Sequence, residues 1–151
     1  MRLKLPAPMQ AAFLEAEAAA ARGEVPVGAA VVDGSGAIIA RAGNRTLERK
    51  DPTAHAEMLA IRKAAELLGS ERLTGCDLYV TLEPCAMCAG AISFARIRRL
   101  YFGAGDEKMG AVEHGGRFFS QPTCHHAPDV YSGIGEVQAK DMLRAFFRAR
   151  R

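Results

Sequence analysis

The sequence predicts an α/β domain, and three observations carry that reading. Strand-like and helix-like segments alternate along the chain. Residues 77–103 read as strand, helix, strand, an order that implies a parallel pair joined by a right-handed crossover. The length of 151 residues suits one domain, residues 1–151, able to bury roughly 70% of its unfolded surface without disulfides. No repeat or interdomain linker interrupts it, so helices are expected on both faces of one sheet.

Residues 9–22 are alanine-rich with good helix formers throughout, and Gly23 stops that helix. Residues 25–32 and 37–42 are strand-like and joined by Asp33-Gly34-Ser35-Gly36, a hairpin signal. Asp51-Pro52-Thr53 reads as a helix start, with Asp51 or Thr53 as cap and Pro52 in the first turn. That helix carries Met58, Ile61, Ala65 and Leu68 on one face and ends at Gly69. Residues 77–82 are a short apolar strand, Pro84 opens a helix to about Ala95, and residues 99–103 form a further strand. Residues 103–126 read as a glycine-rich loop of a length that is usually functional. A last helix, residues 136–150, sets Ala139, Met142, Leu143, Phe146 and Phe147 in one stripe for the core.

Formal net charge is +3, too weak a bias to argue for nucleic acid by itself. Arg96, Arg98 and Arg99 cluster, as do Arg144, Arg148, Arg150 and Arg151. Solvated faces are the default reading, and phosphate contact overtakes it only if the chemistry points to RNA. Cys76, Cys85, Cys88 and Cys124 include one Cys-x-x-Cys pair, which fits a reduced compartment and a metal or redox pair better than a disulfide framework. No apolar run reaches signal-peptide or membrane-span length, so a cytoplasmic protein without a membrane partner is expected.

Two words carry chemistry: His55-Ala56-Glu57 and Pro84-Cys85-Ala86-Met87-Cys88. One imidazole and two thiolates make a three-ligand set suited to tetrahedral zinc. Structural zinc sites are closed by four protein ligands, whereas catalytic ones keep a position for water. Both words fall at helix starts, where free N–H groups and the dipole favour Cys85 and Cys88 as thiolates. Glu57, near the metal without binding it, is placed to take a proton from water and pass it on. Each word alone is weak; together, in this order, they are specific. A closed structural site would need a fourth ligand from Cys76, Cys124, His114, His125 or His126.

At these residues the sequence resembles the zinc cytidine/deoxycytidylate deaminase superfamily. Longer words narrow the resemblance to bacterial tRNA-specific adenosine deaminases: Gly23-Glu24-Val25-Pro26-Val27-Gly28-Ala29, Gly43-Asn44-Arg45, Asp51 through Glu57, Tyr79 through Gly90, and Arg96-Ile97-Arg98-Arg99 running into Phe102-Gly103-Ala104. It covers nearly the whole chain and is dense over residues 24–110. It implies a three-layer α/β/α fold around a five-stranded mixed sheet, one Zn2+ per chain, and a homodimer. It implies hydrolysis of adenosine to inosine at the wobble position of a tRNA anticodon stem-loop. His55, Cys85 and Cys88 match the zinc ligands and Glu57 the proton shuttle. Asn44 matches the side chain that reads the purine ring, Val27 and Leu82 the apolar pocket walls, and Asp106 a contact to a neighbouring ribose. His125-His126 resembles a paired histidine of the family, able to stack on splayed bases or touch phosphate. Around it, residues 112–131 depart from the family pattern.

Read without the resemblance, Asn44 beside Gly43 is a turn residue, Val27 and Leu82 are strand core, and Asp106 caps a turn. A deaminase of free guanine, cytosine or a deoxynucleotide would share the zinc chemistry; the clustered arginines and the words around Val27 and Thr53 favour tRNA. A non-catalytic zinc-stabilised RNA-binding module would need four protein ligands. Met87, Ile92 and Phe94 are the expected dimer contacts.

Overall fold

The computed structural model describes residues 4–150. Helix α1 (Ala7–Ala21) opens with Pro8 in its first turn, and Gly23 turns the chain away at φ 86°. Strands β1 (Gly28–Val32) and β2 (Ile38–Gly43) form the expected antiparallel hairpin. Its turn is pinned by Asp33, whose Oδ1 accepts the N–H groups of Ser35 and Ala37 at 2.9 and 3.1 Å.

Helix α2 (Thr46–Arg49) is four residues that sequence periodicity does not reveal. It is held from outside: the buried Glu24 carboxylate accepts the N–H groups of Leu47 and Glu48 at 3.1 and 2.9 Å. Helix α3 (Ala56–Leu68) begins later than Asp51-Pro52-Thr53 suggested. Asp51 Oδ1 accepts both the N–H and the hydroxyl of Thr53, at 2.8 and 2.7 Å, and so closes a local turn instead of capping a helix. The buried face of α3 is also corrected. Ala56, Glu57, Leu59, Ala60, Ile61 and Ala64 are buried, while Met58 and Ala65 are half-buried and Leu68 is exposed. Alanines bring the helix axis close to the sheet, so small residues rather than large ones define the contact.

Strand β3 (Asp77–Leu82), helix α4 (Ala86–Phe94) and strand β4 (Arg99–Ala104) form the strand–helix–strand unit, and β3 and β4 pair in parallel. The loop after β4 holds a single 3₁₀ turn, Phe118–Ser120. Strand β5 (Asp129–Tyr131) then adds to β4 in parallel, and α5 (Glu136–Arg148) closes the chain. On α5 the expected stripe is only partly core: Ala139 and Phe146 are buried, Met142 and Leu143 half-buried, and Phe147 exposed.

The sheet is mixed and five-stranded, in the order β2-β1-β3-β4-β5, as the resemblance implied. Residues of α3 and α4, such as Leu59 and Ile92, pack with Val31, Leu78 and Phe102 in one core. Met9 and Phe13 of α1 and Ala139 of α5 pack with Ala104 in a second core on the other face. The result is three layers, α/β/α. Contact between α1 and the hairpin depends on Gly28, where a Cβ would stand 1.8 Å from the Ala12 carbonyl oxygen.

Candidate active site

Helices α3 and α4 both start beside the C-terminal end of β3. His55 occupies the N-cap of α3 and Cys85 that of α4, and neither side chain makes a capping hydrogen bond. Ser, Asp or Asn at those positions would turn inward to the free N–H groups. Histidine and cysteine leave their donor atoms free, and the fold aims them at each other. His55 Nδ1 lies 3.6 Å from Cys85 Sγ and 3.6 Å from Cys88 Sγ. All three donor atoms fall within 4.8 Å of one another.

This spacing fits zinc. Bond lengths of about 2.3 Å to sulfur and 2.0 Å to nitrogen, at a tetrahedral angle, separate S and N by roughly 3.5 Å. His55, Cys85 and Cys88 are therefore positioned to hold one metal ion. Hydrogen bonds from Cys88 and His55 pull the Cys85 thiol down to about 4, ready to ligate as the thiolate. Among the described residues no fourth protein ligand joins the group. Cys76 is buried, and its N–H bonds Leu73. Cys124 donates to the His126 carbonyl at 3.2 Å, and His126 Nε2 lies 2.7 Å from the Ile97 carbonyl oxygen. His114 Nδ1 is taken by Glu83 at 2.6 Å.

Glu57 sits two residues into the first helical word and is 4% exposed. Burial pushes its carboxyl up to about 7, the range in which a carboxyl both accepts and returns a proton. Asn44 supports the start of α3. Its Oδ1 accepts the N–H of Ala56 at 2.8 Å and its Nδ2 donates to the Val25 carbonyl at 3.1 Å. One hydrogen on Nδ2 remains for a ligand.

At the C-terminal ends of β3 and β4 lies a cleft of about 660 Å³, lined among others by Val25, Leu82, Asp106, Met109, His114 and Leu143. None of the triad lines it; Leu82, three residues before Cys85, and Val25, bonded to Asn44, connect the two. Leu82 and Asp106 are thus brought together. Asp106 Oδ1 accepts the N–H groups of Lys108 and Met109 at 3.1 and 3.0 Å, the turn-capping role. Val27 is core at 6% exposed.

The histidine pair is not brought to the triad. His126 bonds Ile97, which precedes β4, while the triad lies past the far end of β3. Six strand residues separate the two ends, about 16 Å. His125 is exposed. Of the arginines, Arg98 binds Asp77 through Nε and Nη2 at 3.0 and 2.9 Å, and Arg150 stacks on Phe146. Arg151 lies outside the described residues. Ile92 is fully buried and so is no dimer contact, whereas Phe94 is 79% exposed.

Sequence reasoning missed Glu83. This carboxylate is 2% exposed and accepts the N–H groups of Asp106, Val112, Glu113 and His114, at 3.0 to 3.1 Å, besides the His114 ring. It ties the 105–114 loop onto the start of α4, where Ala111 N–H also reaches the Pro84 carbonyl. The only signal in the sequence is an acid placed between an apolar strand and Pro84.

Residues 4–104 match the family model described as the cytidine and deoxycytidylate deaminase zinc-binding region. The chain is 65% identical over 143 residues to a tRNA-specific adenosine deaminase of Agrobacterium fabrum, covering 95% of this chain and 93% of that protein. It also resembles a solved tRNA:A34 deaminase studied for A-to-I editing at the wobble position of transfer RNA. The TM-score is 0.88 at 65% identity, covering 90% of this chain and 98% of that one. A solved guanine deaminase from Bacillus subtilis is more distant, with TM-score 0.64 and 33% identity, covering 95% and 91% of the two chains.

Proposed function

The chain belongs to the cytidine and deoxycytidylate deaminase zinc-binding family, and we propose that it hydrolyses adenosine to inosine at the wobble position of a tRNA anticodon. The observation that carries the chemistry is the His55–Cys85–Cys88 triad opening beside the buried Glu57. The likeness to tRNA-specific enzymes carries the substrate.

Zinc held by the triad supplies Lewis acidity that makes water a nucleophile at neutral pH. Glu57 handles the protons. Its carboxylate takes one from the attacking water and delivers it to N1 of the purine, then takes the second from the new C6 hydroxyl and passes it to the departing amine. Water adds at C6 and the C6–N6 bond breaks, so adenosine and water become inosine and ammonia. Leu82 forms an apolar wall for the base and Val27 backs it from the core. Asn44 turns its remaining Nδ2 hydrogen to the ring, and Asp106 reaches the neighbouring ribose. An anticodon loop suits such a site because its bases are already unpaired, which removes most of the cost of extruding one.

The working unit is a homodimer in the cytoplasm, with exposed Phe94 at the end of α4 as a contact. No helix among the described residues is long and apolar enough to cross a membrane. The test is zinc-loaded protein with tRNA transcripts bearing adenosine at the wobble position, beside free adenosine, cytidine and guanine. Inosine at that position alone supports the assignment. Turnover of guanine with none on tRNA would replace it with a free-base deaminase.

A further inference from the structure

Resting on the RNA reading above, we propose that His114 is a substrate-binding residue whose Nε2 donates to a backbone phosphate of the RNA lying in the cleft. Nothing in the zinc chemistry requires this side chain, yet it is built into place. Its Nδ1 lies 2.6 Å from Glu83 Oε1, and Glu83 is itself fixed by the backbone N–H groups of Asp106, Val112, Glu113 and His114. The ring passes beside Gly105, where a Cβ would stand 3.2 Å from His114 Cε1. With Nδ1 committed to a carboxylate, Nε2 is the ring's remaining polar atom, and the side chain is 37% exposed and lines the cleft. A carboxylate on one imidazole nitrogen fixes the tautomer and raises the basicity of the ring.

The charges around it are mixed, so the identity of a ligand there rests on which cations are free to meet it. Glu83 faces His114 from the residue after β3, Asp106, Glu107, Lys108 and Glu113 lie on its own loop, and Glu136 and Lys140 come from α5. Lys140 is paired with Glu136 at 3.0 Å, and Asp106 Oδ1 is occupied by two N–H groups. Lys108 makes no ion pair among the described residues. Glu107 and Glu113 are exposed and make no ion pair among the described residues, so the contact to an RNA phosphate rests on His114 Nε2 and Lys108, the cations this wall offers. The raised pKa of His114, caused by the hydrogen bond to Glu83, keeps the ring a donor on both nitrogens over a wider pH range.

The test uses zinc-loaded full-length protein and an anticodon stem-loop with wobble adenosine. His114→Asn keeps an amide donor for Glu83 and removes Nε2. The proposal expects its Kd for the stem-loop to rise roughly tenfold. It also expects the slope of log Kd against log salt to lose about 0.7, one single-strand phosphate contact. The kcat at saturating RNA should change little, and the unfolding midpoint should hold at a pH high enough that the Glu83–His114 pair no longer contributes. A methylphosphonate placed in turn at each loop position guards against a folding artefact. At one position it should weaken the wild type and leave His114→Asn unaffected. Wild-type Kd and salt slope in His114→Asn, or strictly additive effects at every position, overturn the proposal. If the wild type forms no inosine on the stem-loop, the RNA reading fails and takes this proposal with it. If inosine forms and the variant is indistinguishable, this proposal alone fails.

Discussion

Asn44 Oδ1 accepts the N–H of Ala56 at 2.8 Å, so the residue aligned with base reading also caps the helix that presents His55. The side chain supplies from a neighbouring loop the cap that His55, committed to the triad, cannot provide. On the proposed function, one amide would couple metal presentation to substrate recognition.

Asn44→Ala is expected to strand that N–H and to cost about 1 kcal/mol of stability, the usual cost of a lost cap. Zinc affinity should fall with it, because the first turn of α3 frays next to His55. Urea unfolding and competitive zinc chelation measure the two effects. A variant that loses activity with stability and zinc affinity intact would confine Asn44 to the substrate.

Glu57→Gln removes the proton carrier and keeps the shape. Turnover is expected to drop by at least roughly 10²–10⁴, the range for lost acid–base catalysis, while zinc content stays at one per chain. Stability should not suffer, since a neutral amide replaces a carboxyl whose burial already disfavours charge. Inosine formation and metal analysis check both arms.

Glu83→Ala leaves the N–H groups of Asp106, Val112, Glu113 and His114 without their acceptor. A loss of about 3–5 kcal/mol is expected, the scale for breaking a buried charged network, and the 105–114 loop should become the first segment to exchange its amides. Hydrogen exchange reads the loop directly.

The Glu83–His114 pair also sets a pH dependence. The His114 imidazole is raised by its bond to Glu83, so its contribution is complete below the ordinary value of 6.5 and is lost as pH rises through the higher folded value. For Glu83, burial works against ionisation, but the N–H donors and His114 outweigh it and hold the carboxyl below 4.5. Its contribution is present above 4.5 and lost as pH falls through the lower folded value. The unfolding midpoint should therefore decline as pH climbs past 6.5, and His114→Asn should flatten that decline.

Gly28→Ala would drive a methyl into the Ala12 carbonyl at 1.8 Å, backbone against side chain with no flexible partner to yield. Displacement of α1 and a loss of several kcal/mol, at or above the roughly 1–3 kcal/mol of ordinary overpacking, are expected. Thermal unfolding of the purified variant checks it.

What was legible in the sequence tracks how local the determinants are. Strand β3 and the helix behind Pro84 stand out because their apolar runs and breakers lie within the elements themselves. The triad was legible because each ligand sits at a helix start with its neighbours in a fixed order. Helix α2 was not, because the carboxylate that holds it, Glu24, is more than twenty residues away. Strand β5 was not, because its three residues are all exposed and carry no apolar alternation. Glu83 escaped for the same reason as α2: its donors come from residues 106–114, and only the fold brings them round. The false start of α3 at Asp51 shows the converse, a strong local signal spent on a turn.

The most direct test of the central claim is to run the reaction in water labelled with oxygen-18, using an anticodon stem-loop with wobble adenosine, and to weigh the released nucleoside. Hydrolytic deamination at this site predicts inosine carrying one heavy oxygen, an equal amount of ammonia, and neither product from Glu57→Gln. Unchanged adenosine with the wild-type zinc protein, or inosine without the label, would contradict it.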